Sequence, residues 1–424
     1  MIEQFYDLSP QLLAVDQTAL ALCDAPFAAL EKIKEYNQLK MLRAFTDNHV
    51  GANHLVGTTG YGIGDAGREK MEAVFATLVG SEKALFRHNF MSGTHTLTVA
   101  LFGMLRPGDV LLAATGTPYD TLQSVIGLSG NASGSLRNFG ILYDEVALLS
   151  DGKPNLSAIA QHAKTAKMCY VQRSRGYAAR PALTLDDIQN ISKAAKAANP
   201  DIIVMVDNCY GEFTQMQEPT ECGADIMAGS LIKNPGGGIA PTGGYIAGRA
   251  DLVDLCADRL TAPGTGDEIG CTMDILRSLY LGLYYAPGVV CEALKASVYT
   301  ACLFEQLGYA ATPAYKEPRN DIVTSVNVGS PAGMVALCGG VQAGSPIDSF
   351  AAPEPSEMPG YEDEVIMAAG SFTMGSTIEL SADGPMRAPY TVYMQGALNF
   401  TAARAGILLG AENMLKIAHQ EEIK

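Results

Sequence analysis

The sequence predicts an α/β protein with a mostly parallel central β-sheet in a large domain and a smaller α+β domain at the C-terminal end. Short apolar segments alternate with helical patterns from about residue 83 to residue 248, which is typical of parallel strands joined by helical crossovers. Residues 201–208 form the clearest segment, because their nearly continuous β-branched run suits a strand covered on both faces. After about residue 265 a long helical pattern precedes isolated strands, and this change predicts the second domain.

The length of the chain also favours more than one domain, because 424 residues are too many for one ordinary core. We expect an N-terminal helical arm over residues 1–50, a large domain over 51–265 and a smaller domain over 266–424. Strands are predicted at residues 83–87, 109–114, 166–172, 201–208, 224–230 and 243–247. Helices are predicted at 68–79, 97–105 and 186–198, and another from about 121.

The two ends of the chain are predicted to be mainly helical. Ser9 and Pro10 suit the first turn of one helix, and residues 31–45 have the apolar spacing of a second. Residues 267–307 read as helical with an interruption at Pro287, and a final helix is expected over about 390–409.

Composition and charge exclude several classes of function. Asp and Glu number 45 against 29 Lys and Arg, so the net charge is −16, and an acidic surface repels nucleic acids and anionic membranes. The nine cysteines form no C-x-x-C pair and the six histidines are scattered, which argues against a metal site and a disulfide framework. No signal sequence or membrane span is recognised, so a soluble cytoplasmic protein is expected.

A glycine-rich stretch near residue 60 resembles a nucleotide-binding fingerprint. Gly62, Gly64 and Gly67 fit the pattern G-x-G-x-x-G, but a dinucleotide site requires a buried strand directly before it. Residues 54–57 are too short and broken to be that strand. We therefore expect a flexible loop that carries Tyr61 to a binding site.

Lys233 is the most unusual residue of the sequence. It ends a short apolar run and precedes three glycines at 236–238. Lysine is rarely buried unless it is paired, and desolvation lowers its pKa and makes it a nucleophile or Schiff-base former. The alternative is a surface lysine before a glycine-rich turn.

Other polar residues follow the predicted strands at their carboxyl ends, where parallel sheets bind ligands. Pyridoxal phosphate needs a lysine for its aldehyde, a carboxylate for its pyridine nitrogen, and a phosphate site such as a helix N-terminus. The candidates are Lys233 for the aldehyde, Asp207 for the ring nitrogen, Ser92, Gly93, Thr94 and Ser230 for the phosphate, and Tyr119 for stacking on the ring. The sequence therefore predicts pyridoxal 5'-phosphate as cofactor, although each residue alone has an ordinary structural alternative.

Long motifs in this chain resemble the fold-type-I pyridoxal-phosphate enzymes, the aspartate aminotransferase superfamily. Ser230-Leu231-Ile232-Lys233 looks like the Ser-x-x-Lys motif of that superfamily, and Asp207-Asn208 looks like the Asp-Asn of its cystathionine and methionine γ-lyase branch. Residues 172–177, 206–213, 228–248 and 379–385 are similar to the methionine γ-lyase-like family that is often labelled aluminium-resistance proteins.

The resemblance implies a carbon–sulfur lyase that acts on a sulfur-containing amino acid and releases a 2-oxo acid, ammonia and a thiol. It implies that Lys233 binds the cofactor and later removes the α-proton, and that Tyr119 protonates the leaving sulfur. Tyr61 matches the loop tyrosine that reaches the phosphate of the neighbouring subunit in γ-lyases. This match implies a homodimer or homotetramer with a shared site.

Two departures from the γ-lyase pattern alter the expected substrate pocket. Gln172-Arg173-Ser174-Arg175-Gly176-Tyr177 replaces Glu-Ser-Pro-x-Asn-Pro, so the asparagine that contacts the ring oxygen is missing and an arginine is its expected replacement. Glu379 stands where the γ-lyases have the arginine for the substrate carboxylate. Since bidentate binding of a carboxylate needs arginine, we expect the nearby Arg387 to bind the substrate.

Three other functions remain open at this point. Ser230-x-x-Lys233 also fits the acyl-serine motif of penicillin-binding enzymes, but the chain lacks their Lys-Thr-Gly triplet. An aminotransferase would keep the same fold and cofactor. The altered carboxylate region is also compatible with a catalytically idle, cofactor-binding stress protein.

Overall fold

The computed structural model describes residues 1–130, 133–358 and 361–422 of the chain. The helices are α1 Pro10–Asp47, α2 Ala66–Val79, α3 Gly93–Met104, α4 Asp120–Ile126, α5 Leu156–Ala163, α6 Leu185–Ala198, α7 Ala250–Leu260, α8 Leu276–Gln306, α9 Pro331–Ala343 and α10 Phe400–Glu422. The strands are β1 Lys83–Arg87, β2 Val110–Ala113, β3 Leu142–Glu145, β4 Met168–Gln172, β5 Ile203–Asp207, β6 Ile226–Ser230, β7 Gly244–Gly248, β8 Ala311–Thr312, β9 Val323–Asn327, β10 Val365–Ala368, β11 Ser381–Pro385 and β12 Thr391–Gln395.

The chain divides into two compact units whose limits differ from those predicted. One unit is Tyr36–Tyr285, and the other combines Met1–Glu35 with Ala286–Lys424. The start of the chain therefore belongs to the same unit as its C-terminal part, whereas the sequence suggested a separate arm over residues 1–50.

The unit Tyr36–Tyr285 contains a seven-stranded sheet in the order β1-β7-β6-β5-β4-β2-β3. Every neighbouring pair from β6 to β3 is parallel, and only β7 runs antiparallel to its neighbours β1 and β6. All residues of β4, β5 and β6 are buried, as expected for apolar strands in a sheet with both faces covered. The predicted mostly parallel sheet is confirmed.

Strand register brings the ends of three neighbouring strands together. Gln172 at the end of β4 lies opposite Asp207 at the end of β5, and Asp207 lies opposite Ala228 in β6. Chain segments that leave the sheet after these residues therefore start at one common edge. This edge holds most of the predicted site.

The unit that contains the C-terminal part has a five-stranded antiparallel sheet in the order β10-β11-β12-β9-β8. Helices α9 and α10 pack closely through glycines. A Cβ on Gly340 would lie 2.3 Å from the backbone oxygen of Leu409, and one on Gly344 would lie 2.4 Å from Cα of Gly406. Any larger side chain at these positions would push the two helices apart.

Several sequence-based expectations for helices are wrong. One continuous helix, α1, replaces the two predicted in the first 50 residues, and Pro26 lies within it. Pro287 lies inside α8 and does not interrupt it, which occurs where tertiary packing compensates the lost backbone hydrogen bond. The predicted final helix over residues 390–409 is strand β12 followed by α10, because residues 391–395 pair with β9 and β11.

Among the described residues, α1 is the one helix long and apolar enough to cross a membrane, with a mean hydropathy of 1.3 over its most apolar window. Core helices of soluble proteins meet the same criterion. The fully buried Asp16 of α1 accepts hydrogen bonds from the Tyr299 hydroxyl at 2.6 Å and from Arg404 Nε at 2.7 Å. This charged network in one compact unit favours a helix that packs within the protein.

The Asp16 network predicts a large effect on stability. Asp16→Ala would leave the Tyr299 hydroxyl and the Arg404 guanidinium without their buried partner, so we expect the free energy of unfolding to fall by about 3 kcal/mol. Urea denaturation measures this change. Asp24→Ala, at an exposed position of the same helix, is the control, and equal effects of the two variants would show that the network does not stabilise the unit.

Candidate active site

Lys233 lies in the turn that follows β6, and its side chain is partly buried. Its Nζ lies 4.0 Å from the centroid of the Tyr210 ring, a distance at which a cation is attracted to an aromatic face. Burial lowers the pKa of Lys233, but its acidic neighbours Cys209, Tyr210 and Asp207 oppose this effect, and the net pKa is raised. The lowered pKa expected from desolvation alone is therefore wrong for this arrangement.

Asp207 is buried at the end of β5 and holds two hydrogen bonds. Its Oδ2 accepts from the Tyr170 hydroxyl at 3.2 Å, and its Oδ1 accepts from the backbone N–H of Cys209 at 3.1 Å. Burial raises the pKa of Asp207, and the positive charge of Lys233 is the largest opposing influence. The two predicted residues thus share one electrostatic environment.

The N-terminus of α3 approaches the same region. Ser92 caps this helix, because its Oγ accepts from the backbone N–H of His95 at 3.1 Å. A Cβ on Gly93 would lie 3.4 Å from Cβ of Ser230 and 3.6 Å from Sγ of Cys209. The structure therefore brings together the predicted phosphate residues of α3 and Ser230.

Tyr119 joins this group through its hydroxyl and its backbone. The hydroxyl lies 3.1 Å from Thr94 Oγ1, which is itself 3.0 Å from Thr121 Oγ1. The backbone N–H of Tyr119 donates to Gln172 Oε1 at 2.9 Å. Burial, reinforced by the charge of Asp207, raises the pKa of Tyr119, so the phenol keeps its proton at neutral pH.

These residues fit pyridoxal phosphate. The Ser230 hydroxyl is buried and has no hydrogen-bond partner among the described residues, and buried polar groups of this kind normally have one. A phosphate group accepts from hydroxyls and from the backbone N–H groups of a helix N-terminus. Ser230, Thr94 and the start of α3 supply such donors, while Lys233 and Asp207 supply an amine and a carboxylate.

Some residues of this region were missed by the sequence analysis. Gln172 is recognisable in the sequence only as part of a motif, yet its side chain accepts a hydrogen bond from the backbone N–H of Tyr119. Tyr170 and Tyr210 contact Asp207 and Lys233, respectively. The sequence signal for Tyr170 was its position two residues before the end of β4, but only strand register reveals its neighbour.

The motif that lacks the asparagine for the ring oxygen contains two arginines, and the first of them, Arg173, has a structural role. Its fully buried guanidinium donates from Nη1 to Asn208 Oδ1 at 2.7 Å and to the carbonyl of Gly211 at 3.0 Å. Nη1 also lies 3.9 Å from Glu218 Oε2. Arg173 therefore supports the segment after β5. Arg175 is also buried, and its Nε donates to the carbonyl of Ala178 at 3.2 Å.

Tyr61 is 78% exposed, in a loop that hydrogen bonds hold in place. Gly270 N–H donates to the carbonyl of Tyr61 at 2.8 Å, and Arg68 Nη1 donates to the carbonyl of Gly62 at 2.8 Å. Gly62 has φ 63°, a conformation that favours glycine. The contact of Tyr61 with a second subunit stays a prediction.

Arg387 and Glu379 belong to the compact unit that contains the C-terminal part of the chain. Arg387 follows β11, its side chain is 54% exposed, and its Nη1 lies 2.8 Å from Asp363 Oδ2. Glu379 is buried, and its oxygens accept from the backbone N–H groups of Phe372 and Thr373, each at 2.9 Å. Glu379 thus stabilises a loop in the position where γ-lyases have an arginine. The role of Arg387 in substrate binding stays a prediction.

The position of Arg173 predicts a structural effect. Arg173→Met would leave Asn208 and Gly211 without a buried donor, so we expect the free energy of unfolding to fall by about 3 kcal/mol. Chemical denaturation tests this, with Arg137→Met at an exposed position as control. Wild-type stability combined with a loss of cofactor affinity would instead assign Arg173 to ligand binding.

Comparisons with known proteins identify the family of this chain. A family model described as methionine gamma-lyase matches residues 13–415. The Bacillus subtilis protein YnbB is 44% identical over 390 residues, which cover 91% of this chain and 92% of YnbB. The crystal structure of a carbon-sulfur lyase involved in aluminum resistance from Clostridium novyi NT is 45% identical, with a TM-score of 0.92 and coverage of 96% of each chain.

A more distant structure shows the fold alone. The pyridoxal-5'-phosphate dependent protein YhfS from Escherichia coli is 17% identical, with a TM-score of 0.61 and coverage of 91% of this chain and 97% of YhfS. The predicted fold type I is thereby confirmed. Because the family model spans nearly the whole sequence, the chain belongs to the methionine gamma-lyase family of pyridoxal-phosphate-dependent, lyase-like enzymes.

Proposed function

We propose that this protein is a pyridoxal-phosphate-dependent carbon–sulfur lyase that converts a sulfur-containing amino acid and one water molecule to a 2-oxo acid, ammonia and a thiol. The observation that carries the proposal is the convergence of Lys233, Asp207 and Tyr119 with the N-terminus of α3. Methionine, cystathionine and cysteine are the substrate types compatible with this chemistry. Pyridoxal phosphate, when bound, supplies an electron sink for the negative charge that develops at the α-carbon.

Four residues would hold the cofactor. Lys233 would bind its aldehyde carbon through Nζ, and Asp207 would accept a hydrogen bond from the ring nitrogen. Ser230 Oγ and Thr94 Oγ1 would donate to the phosphate, together with backbone N–H groups at the start of α3. The low accessibility of Asp207 strengthens its interaction with a positive ring nitrogen, because water does not screen it.

Two residues would move protons. Lys233, once its amine is released by the substrate, is the base for the α-proton. Tyr119 keeps its phenol proton at neutral pH because burial and Asp207 raise its pKa, and it can deliver this proton to the departing sulfur. A general acid must hold its proton in the resting state and lie within reach of the leaving group.

The proposal also assigns roles to Tyr61 and Arg387. We propose that Tyr61 reaches the phosphate site of a second copy of the chain, so that the enzyme is a homodimer or homotetramer. Arg387, whose Nη1 pairs with Asp363, is the proposed ligand of the substrate carboxylate. A cytoplasmic location and an amino acid as the small-molecule partner belong to the same proposal.

The proposed reaction is tested with a panel of amino acids. The purified protein, loaded with pyridoxal phosphate, should release a 2-oxo acid and a thiol from at least one sulfur-containing amino acid. An aminotransferase would instead yield the pyridoxamine form of the cofactor without thiol. Absence of both products and of any spectral change would indicate a catalytically idle protein, for which the replacement of arginine by Glu379 is the motivating observation.

Lys233 is tested by substitution. Lys233→Ala should lose the visible absorbance of the lysine-bound cofactor and lower turnover by at least about 1,000-fold, since one residue provides both the attachment and the base. Absorbance spectra and 2-oxo acid release measure the two effects. Lys167→Ala, an exposed lysine before β4, is the matched control. Persistence of the absorbance in Lys233→Ala would assign the attachment to another residue.

Asp207 is expected to affect chemistry more than cofactor attachment. Asp207→Asn keeps the size of the side chain but removes its negative charge, so turnover should fall by about 100-fold or more while the lysine-bound cofactor remains detectable. Steady-state kinetics and absorbance titration separate the two quantities. Turnover equal to that of the wild type would exclude the proposed interaction with the ring nitrogen.

A further inference from the structure

Glu212 is a buried carboxyl group for which the proposed reaction has no use. It is 1% exposed and lies in the segment after β5. Oε1 accepts a hydrogen bond from the hydroxyl of Tyr245 at 2.7 Å. Oε2 is buried without a hydrogen-bond partner among the described residues. Glutamate is rarely buried in this way unless it is paired.

The carboxyl group packs directly against β6 where this strand leads to Lys233. A Cβ on Gly229 would lie 2.6 Å from Glu212 Oε1, so only glycine leaves room for the carboxyl. Tyr245 in β7 lies opposite Gly229 in the strand register. The hydroxyl of Tyr245 and the backbone of Gly229 therefore hold the carboxyl group from two sides.

Glu212 also contacts the turn that contains Lys233. Asn234 Nδ2 donates to the backbone carbonyl of Glu212 at 2.8 Å, and Asn234 is the direct neighbour of Lys233. The backbone N–H of Lys233 donates to the carbonyl of Ser230 at 3.4 Å. The segment around Glu212 thus contacts the chain one residue before Ser230 and one residue after Lys233.

We propose that Glu212 is a positioning residue for Lys233. Its carboxyl group, held between Tyr245 and Gly229, fixes the segment whose backbone carbonyl accepts from Asn234, the neighbour of Lys233. The inference rests on the proposed function, because it assumes that Lys233 binds the cofactor. Glu212 acts on Lys233 through this segment and Asn234.

The charged groups around Glu212 give its positioning role a pH dependence that can be measured. Burial, together with the charge of Glu218, raises the pKa of Glu212 to about 8. The hydrogen bond from Tyr245 and the charge of Lys233 act in the opposite direction and lower this pKa. Glu218 itself lies 3.9 Å from Arg173. Ionisation of Glu212 in alkaline solution therefore adds a negative charge near Lys233, which stabilises a positive charge on the lysine nitrogen.

The first test is a pH titration of the absorbance of the lysine-bound cofactor. Glu212→Gln cannot ionise, so the midpoint of its titration should lie about one pH unit below that of the wild type. Glu212→Ala, which also removes the side chain that anchors this segment to Tyr245, should bind pyridoxal phosphate about tenfold more weakly than Glu212→Gln. Glu72→Gln, which alters a buried carboxyl bound to Arg87, is the control and should keep the wild-type midpoint.

The second test uses thermal unfolding without added cofactor. A folded-state pKa above the unfolded value of 4.5 gives stability that is complete below pH 4.5 and is lost as pH rises through about 8. The melting temperature of Glu212→Gln relative to the wild type should therefore increase between pH 5 and pH 9. A purely steric role of Glu212 would give a difference that does not change with pH.

Tyr245→Phe keeps the test decisive if Glu212→Gln does not fold. Loss of the hydroxyl raises the pKa of Glu212, so the absorbance midpoint should again shift to lower pH. The inference about Glu212 is wrong if the wild type binds the cofactor through Lys233 and the folded variants have the same absorbance midpoint and the same pH profile of stability as the wild type. If the wild type and Lys233→Ala have the same absorbance, the proposed function fails first.

Discussion

The candidate site depends on the placement of a lysine amine and an aspartate carboxylate at the ends of neighbouring parallel strands. Asp207 ends β5, and Lys233 follows β6 after Ser230. Neither charge would be stable alone in a buried region, because desolvation penalises each of them. Their opposite effects on each other's pKa allow both to remain at the carboxyl edge of the sheet. The surrounding tyrosines and the start of α3 are arranged around this pair.

Part of the site could be predicted from the sequence because its residues lie at the ends of strands. Asp207, Ser230 and Lys233 lie directly after apolar segments, so their common location follows from local pattern and from the geometry of parallel sheets. The capping residue Ser92 was likewise recognisable from local sequence. Gln172, Tyr210 and Glu212 gave no such signal, because their contacts depend on strand register and on a turn with φ of 69° at Tyr210.

The same distinction between local and tertiary effects applies to the fold. Local rules placed two separate helices in the first 50 residues and an interruption at Pro287, but α1 continues through Pro26 and α8 through Pro287. Residues 391–395 form β12 because β9 and β11 provide backbone partners, which the helical interpretation did not consider. The hydrogen bonds of Glu379 with loop backbone likewise depend on tertiary structure and could not be predicted from local sequence.

The most direct measurement of the central claim identifies the lysine that carries the cofactor. The protein loaded with pyridoxal phosphate is treated with borohydride, which makes the link permanent, and its peptides are then mapped by mass spectrometry. The account predicts a single modified peptide in which Lys233 carries the pyridoxyl group. Stoichiometric modification of a different lysine, with Lys233 unmodified, would contradict it.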